Sequence, residues 1–207
     1  INAWNLKVLD EIPDLYCFAA FHPGDTDALQ MAGRLLDHPR IIGFKLHHLV
    51  QRFYPHDERL MPLYEMVQGR GKRLLMHAGT GPVGNEFVGL EHFKRLLKRF
   101  PELPVTVAHM GGLEYGGFME LLDDHPGLYL DTAFTFYPGQ PGAFDLGADM
   151  LERHQDRIVY GSDFPNLILP RETELECLLS YSLSQAFYDM VFSENARRII
   201  SAITGRN

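Results

Sequence analysis

Apolar, β-rich runs that each end on a polar, ligand-capable residue recur along this chain. Ile41–His47 ends on Lys45 and His47, Arg73–His77 on His77, Pro104–His109 on His109, Leu128–Thr132 on Asp131, and Arg157–Asp163 on Asp163. His47, His77, His109, Asp131 and Asp163 follow one another at intervals of 30, 32, 22 and 32 positions, the length of a strand plus a returning helix. Helical patterns fill the intervals. The clearest covers 89–100, where Phe93, Leu96, Leu97 and Phe100 repeat at i, i+3, i+4 and i+7 while Lys94, Arg95, Lys98 and Arg99 fall outside. Strands alternating with helices imply a parallel sheet, because parallel neighbours need a crossover between them.

An open doubly wound sheet gathers its functional residues at one switch point. Here successive strands all end in polar groups, which fits a barrel whose strand ends meet at one mouth. No G-x-G-x-x-G follows the first strand and no G-x-x-x-x-G-K-[ST] is present, so the main nucleotide-binding signatures are missing. Counting Tyr16–Phe21 as the first, six strand–helix units are visible, whereas a barrel has eight. An incomplete barrel leaves two long sheet edges exposed, and the chain begins on Ile rather than Met. The expected fold is therefore α/β, a TIM-like (β/α)8 barrel forming one domain over 1–207, with its first two βα units upstream of Ile1.

Finer expectations follow from local chemistry. Trp4, Val8 and Leu9 mark the end of a helix stopped by Pro13, and Asp25 or Thr26 is suited to cap the next helix. Alternation on 41–47 puts Gly43, Lys45 and His47 on one face, and Ile42, Phe44 and Leu46 on the other. Residues 143–154 and 171–204 read as helical, with Ser193 a good N-cap for 194–200. The Lys and Arg of this chain, whose net charge is −8, are scattered. A nucleic-acid partner needs a basic stripe, so that class is excluded. No apolar run approaches the ~20 residues of a membrane span. The only cysteines, Cys17 and Cys177, are too few for a disulfide framework, and a reducing, cytoplasmic setting is expected. A homo-oligomer is compatible with all of this.

The strand ends carry the chemistry. His77, His109 and Asp163 are two imidazoles and a carboxylate, a donor set that suits a divalent ion such as zinc. The bland alternative is that each is a satisfied core or loop residue. Lys45 shares a face with His47 in the sheet interior, where a lysine needs a partner. It either meets a substrate carboxylate, or ligates metal in carbamylated form, or forms an internal salt bridge with Asp131 or Asp163. Arg52 and Tyr54 follow in a loop and either bind an anionic substrate or are solvated. His22 reads equally as a turn cap or a site residue, whereas His48 points to the other face or the loop. Gly79, Gly81 and Gly84 give a loop freedom or bring amide groups close to an oxyanion.

Gly43-Phe-Lys-Leu-His47, Leu75-Met-His-Ala-Gly79, Val107-Ala-His-Met-Gly-Gly112, Leu130-Asp-Thr132, Val159-Tyr-Gly-Ser-Asp-Phe-Pro165 and Glu194-Asn-Ala-Arg198 come in the order seen in the amidohydrolase superfamily. The ordered set resembles its amidohydrolase-related branch, which includes pyrone-dicarboxylate lactonase and aminocarboxymuconate-semialdehyde decarboxylase. The resemblance covers about residues 40–200 and implies a distorted (β/α)8 barrel. It makes His77 a metal ligand, His109 the residue that polarises substrate or water or binds a second metal, and Asp163 a metal ligand and proton shuttle. Lys45 falls where some members carry a carbamylated lysine. The family's first strand carries a His-x-His pair, which this sequence lacks. The pair is expected upstream of Ile1; otherwise the metal is not held in the family way.

Three functions are carried forward. The first is a metal-dependent hydrolase of a small, anionic amide or lactone. In it His77 and Asp163 bind zinc, Asp163 and His109 do the proton and carbonyl chemistry, and Lys45, His47 and Arg52 bind substrate. The second is a metal-dependent, non-oxidative decarboxylase of a small aromatic carboxylate using the same residues. The third is a non-catalytic, ligand-binding barrel.

Overall fold

The computed structural model describes residues 1–81, 83–140, 143–166 and 170–205. Its strands are β1 (Cys17–Ala20), β2 (Ile41–His47), β3 (Arg73–His77), β4 (Val105–Val107), β5 (Leu128–Asp131) and β6 (Ile158–Val159). Among the described residues they form one six-stranded sheet in sequence order, every neighbouring pair parallel. The helices are α1 (Asn2–Glu11), α2 (Ala28–Leu36), α3 (His48–Gln51), α4 (Met61–Gly69), α5 (Leu90–Arg99), α6 (Tyr115–Asp124), α7 (Ala148–Arg153), α8 (Arg171–Ser180), α9 (Gln185–Asp189) and α10 (Asn195–Thr204). None is long and apolar enough to cross a membrane.

The sheet separates two chemistries. Phe44, Leu46, Leu74, Met76, Val105, Val107, Leu128 and Leu130 are fully buried and join the core that α2, α4, α5 and α6 complete with Leu35, Leu63, Val67, Phe93, Leu96 and Phe118. The alternate positions of the same strands carry Lys45, His47, Arg73, His77, Thr106 and Asp131. Apolar burial at roughly 25 cal/mol per Å2 anchors one face, and the period of two then forces the other set inward.

The alternation expected for 41–47 fails at one place. Cys17 pairs with Ile41 but Phe18 pairs with Gly43, so Ile42 is an extra residue without a partner. This bulge turns Ile42 inward, where it lines a cavity with Arg73, Leu75 and Thr106, on the same side as Lys45 and His47. Gly43 makes the bulge possible: its φ is +152°, and a Cβ there would lie 1.5 Å from the Arg73 carbonyl oxygen.

The edges are treated differently. At β1 the side chain of Asn2 acts as a strand partner: Nδ2 donates to the Ala20 carbonyl at 2.9 Å and Oδ1 accepts from the Ala20 amide at 2.8 Å. β6 is much shorter than the expected 157–163, because the chain leaves the ladder after Val159. The Tyr160 amide donates to the Val191 carbonyl at 2.9 Å, and the Gly161 amide to Thr132 Oγ1 at 3.1 Å. Asn195 is buried and donates to the carbonyls of Gln155 and Ile158 at 2.6 and 2.7 Å, which ties the start of α10 to β6.

Several local expectations need correction. Trp4 is 66% exposed; Leu9 and Asn5 are the buried residues of α1. The residue before α2 is Asp27, left-handed at φ 56° and without a side-chain cap, so neither Asp25 nor Thr26 takes that role. The stretch 143–147 is not helical, since the Phe144 amide donates to the Thr135 carbonyl at 2.9 Å and Gly147 starts α7 at φ 86°. The segment 171–204 breaks at 181–184, and the cap is Ser184, whose Oγ accepts from the Phe187 amide at 3.1 Å. Ser193 lies inside a π-helical turn, Met190–Glu194, that runs straight into α10.

Replacing Gly43 by alanine is expected to cost at least about 2 kcal/mol, because a strand must move to admit the methyl group. Denaturant unfolding checks this; an unchanged midpoint would show that the bulge is not required.

Candidate active site

β2 and β3 are in a register that pairs Lys45 with Leu75 and His47 with His77. The two imidazoles stack with centroids 4.1 Å apart and planes 15° off parallel. His109 meets His77 edge to face at 4.9 Å. Lys45, His47, His77, His109 and Asp163 together line one cavity of about 500 Å3 at the carboxyl ends of the strands.

His109 reaches this position through an unusual turn. His109, Met110, Gly111 and Gly112 all have positive φ, at 59°, 50°, 86° and 64°. The left-handed run packs against the loop after β3 so closely that a Cβ on Gly112 would lie 2.1 Å from the Gly81 amide nitrogen. Gly79 and Gly81 therefore serve a backbone-to-backbone contact rather than a free loop. Asp131 secures the turn: its Oδ1 accepts from the amides of His109 at 2.9 Å and Ala133 at 3.1 Å. The ring of His109 is oriented by Nδ1, 2.9 Å from the Ala133 carbonyl. A carbonyl only accepts, so Nδ1 carries the proton, and the neutral ring presents Nε2 as its lone-pair nitrogen.

Electrostatics keep His77 and His47 uncharged. Burial, and after it the neighbouring His47, His109 and Lys45, push the His77 pKa down to about 2. Burial also lowers His47, with Lys45 and His109 adding to the shift and Asp163 opposing it. Burial lowers Lys45 too, against the pull of Asp131 and Asp163. Neither carboxylate comes within ion-pair distance of Lys45 among the described residues, so the internal salt bridge weighed from the sequence is not formed.

The remaining candidates lie apart. Arg52 is exposed, left-handed at φ 59°, and its guanidinium stands 5.9 Å from the Phe87 ring centre, outside the cavity lining. Tyr54 stacks on His56. His22 is a turn cap, its Nδ1 accepting from the Gly24 amide at 3.1 Å. His48 is fully buried with Nδ1 3.0 Å from the Phe53 carbonyl. Sequence reasoning missed Leu49, Val50, Val83, Phe134 and Asn166, which complete the lining; Leu49 and Val50 lie on the short helix α3 and the others outside helices and strands, where nothing in the pattern marks them.

Among the described residues no three His, Cys, Asp or Glu side chains are arranged to hold an ion by themselves. His77 nevertheless has both ring nitrogens unengaged among these residues. It is 5% exposed, and both ring nitrogens, like His47 Nδ1, are buried without a hydrogen-bond partner. A buried polar nitrogen left unpaired costs ~1–3 kcal/mol, so an external partner is called for. His77 fits as one ligand and Asp163, on the same cavity, as a second; the set they form is incomplete.

A family model described as amidohydrolase matches residues 1–201. The chain belongs to the amidohydrolase family. No curated protein matches this amidohydrolase. Among solved structures, an uncharacterised TIM-barrel protein from Bordetella bronchiseptica shares 24% identity at a TM-score of 0.84, covering 99% of this chain and 73% of that one. A probable 2-pyrone-4,6-dicarboxylic acid hydrolase from Acinetobacter baumannii, with citric acid bound, shares 15% identity at 0.67 over 97% of this chain and 78% of that one. A 5-carboxyvanillate decarboxylase from Novosphingobium aromaticivorans, with manganese bound, shares 14% at 0.67 over 94% and 68%. These likenesses establish the TIM-like barrel fold, of which six parallel strands are seen among the described residues. Family and fold make it an enzyme of the amidohydrolase type.

Burial holds the His48 pKa at about 3 rather than 6.5. A histidine lowered in this way binds more protons unfolded than folded. Its contribution is complete above pH 6.5 and is lost at ~1.4 kcal/mol per pH unit as pH falls from there towards 3. Unfolding measured between pH 7 and 5 is expected to differ in slope between wild type and His48→Gln by up to one proton, the variant losing less stability as pH falls.

Proposed function

We propose that this amidohydrolase hydrolyses a small, anionic amide or lactone with a divalent metal, preferably zinc, at His77 and Asp163. The reading rests on one observation: Lys45, three imidazoles and Asp163 converge on a single cavity in which His77 lacks a partner. Nitrogen and carboxylate donors suit zinc, and the manganese in the structurally similar decarboxylase supports a divalent ion. When bound, such a metal supplies a Lewis acid that brings the pKa of water to about 7.

The residues of this chain do the rest. Asp163 accepts the proton of the attacking water and returns it to the leaving atom, with Asn166 Nδ2 3.4 Å from its Oδ1 to hold its position. His109 acts through Nε2, since Nδ1–H is committed to Ala133. With a proton taken from solvent onto Nε2, it donates to the substrate carbonyl oxygen and stabilises the charge that develops there. Lys45, which has no ion pair among the described residues, receives the substrate's anionic group, and His47 stacks beside His77 to close that wall. Arg52 meets only a part of the substrate that projects from the mouth. Leu49, Val50, Val83 and Phe134 offer apolar surface to the remainder.

That apolar lining also favours a second reading, decarboxylation of an aromatic carboxylate. The ring lies against Phe134, Lys45 holds a carboxylate, and Asp163 or His109 supplies the proton that replaces CO2. The free thiols of Cys17 and Cys177 fit the cytoplasmic setting we assign to either enzyme.

Elemental analysis of the whole protein is expected to find about one divalent metal per chain, lost in His77→Ala. Asp163→Asn is expected to keep the fold and most of the metal while kcat drops by about a thousandfold. Full activity without metal would remove the metal mechanism, and near wild-type turnover in Asp163→Asn would remove Asp163 as proton shuttle. Turnover in 18O-labelled water separates the two reactions: hydrolysis places the label in the product acid, whereas decarboxylation releases CO2 and leaves the organic product unlabelled.

A further inference from the structure

The amino-terminal end of the strands holds a further cavity, of about 400 Å3, between Lys72, Arg73, Pro104 and Tyr129 on the sheet side and Arg198 and Ile203 on α10. Every charged residue in its lining is a cation, in a chain whose net charge is −8. Lys72 and Arg73 are each only 7% exposed. Among the described residues none of the three cations belongs to an ion pair.

Their contacts satisfy hydrogen bonds without cancelling charge. Arg73 Nη1 donates to the carbonyls of Val105 at 2.8 Å and Gly127 at 3.2 Å, and to Thr106 Oγ1 at 3.3 Å. Its guanidinium lies 4.7 Å from the Tyr129 ring centre. Lys72 Nζ donates to the Ile41 carbonyl at 2.7 Å; Asp37 attracts it but is itself bonded to Arg70 at 2.6 Å. Arg198 Nη2 lies 3.7 Å from Met190 Sδ. Burial, with Arg157 adding like-charge repulsion, lowers the Arg73 pKa to about 10, which leaves it a cation at neutral pH. Buried charges in folded proteins are ordinarily paired, because desolvation without a counter-charge is expensive.

We propose that this cavity binds a phosphate-sized oxyanion, either free phosphate or the phosphoryl group of a small molecule, with Arg73 and Arg198 as its charged contacts. The planar fork of arginine matches the edge of such an anion, and the cavity leaves room for the remainder of a phosphorylated compound. The site lies at the end of the strands opposite His77 and Asp163, and does not depend on the reaction assigned to them.

The test is the thermal midpoint of the whole protein as inorganic phosphate replaces chloride at constant ionic strength. A saturable rise is expected, retained in Lys45→Met, which removes the cation of the other cavity. Arg198→Glu is expected to weaken the apparent affinity by about tenfold; Arg198 is exposed, and Arg198→Gln gives the same direction if charge reversal perturbs α10. Glycerol 3-phosphate run in parallel identifies the source. Tighter binding than phosphate supports a phosphorylated small molecule, and equal binding supports the free anion. No saturable response, an equal response in wild type and both Arg198 variants, or a response lost in Lys45→Met would each overturn the proposal.

Discussion

The register between β2 and β3 is the constraint on which the rest of the site depends. It sets His47 beside His77 and Lys45 beside Leu75. Slipping it by one residue would turn every inward side chain outward. What resists the slip is on the other face, where Phe44, Leu46, Leu74 and Met76 are fully buried beneath the helices. The apolar layer thus aims the polar one. The bulge at Ile42 and Gly43 adjusts the phase within β2, so that its lower half can contribute an apolar side chain and its upper half a lysine and a histidine to the same interior.

The second requirement is the left-handed turn at His109–Gly112. Two of its residues, His109 and Met110, are not glycine, and such conformations cost about 1–3 kcal/mol each. The turn persists because Asp131 accepts two of the local amides and because the loop after β3 is packed onto it backbone to backbone. The strain is local to the cavity and delivers a specific result: an imidazole edge-on to His77, with its tautomer chosen by a carbonyl. Asp131 is thereby a positioning residue, acting on the site through His109.

The two ends of the strands carry different electrostatics. At the carboxyl ends, His47 and His77, kept neutral by burial, stand with His109, one aspartate and a lysine that has no ion pair among the described residues. At the amino ends, cations meet only carbonyls, a hydroxyl, a thioether and an aromatic face. In both places buried side chains stand, among the described residues, without a full set of partners: a hydrogen-bond partner for His77, a counter-charge for Lys72 and Arg73.

Much of this was legible in the sequence. The order of six strands, the bounds of β2 and β3, and the polar residues that end each strand follow from periodicity and turn chemistry, which act over a few neighbouring residues. So does the convergence of His77, His109 and Asp163, since in a parallel α/β fold all strand ends point one way. What the tertiary structure alone decided depends on distances between residues far apart in the chain. Examples are Ile42 turned inward by a bulge, β6 cut short by Val191 and Thr132, and Lys45 left without an ion pair. Arg52 set over Phe87, and three cations gathered where α10 crosses the lower end of the sheet, belong to the same class. None of these has a local signature, because each is set by which partner competes best for a hydrogen bond, a contact or a charge once the chain has closed on itself.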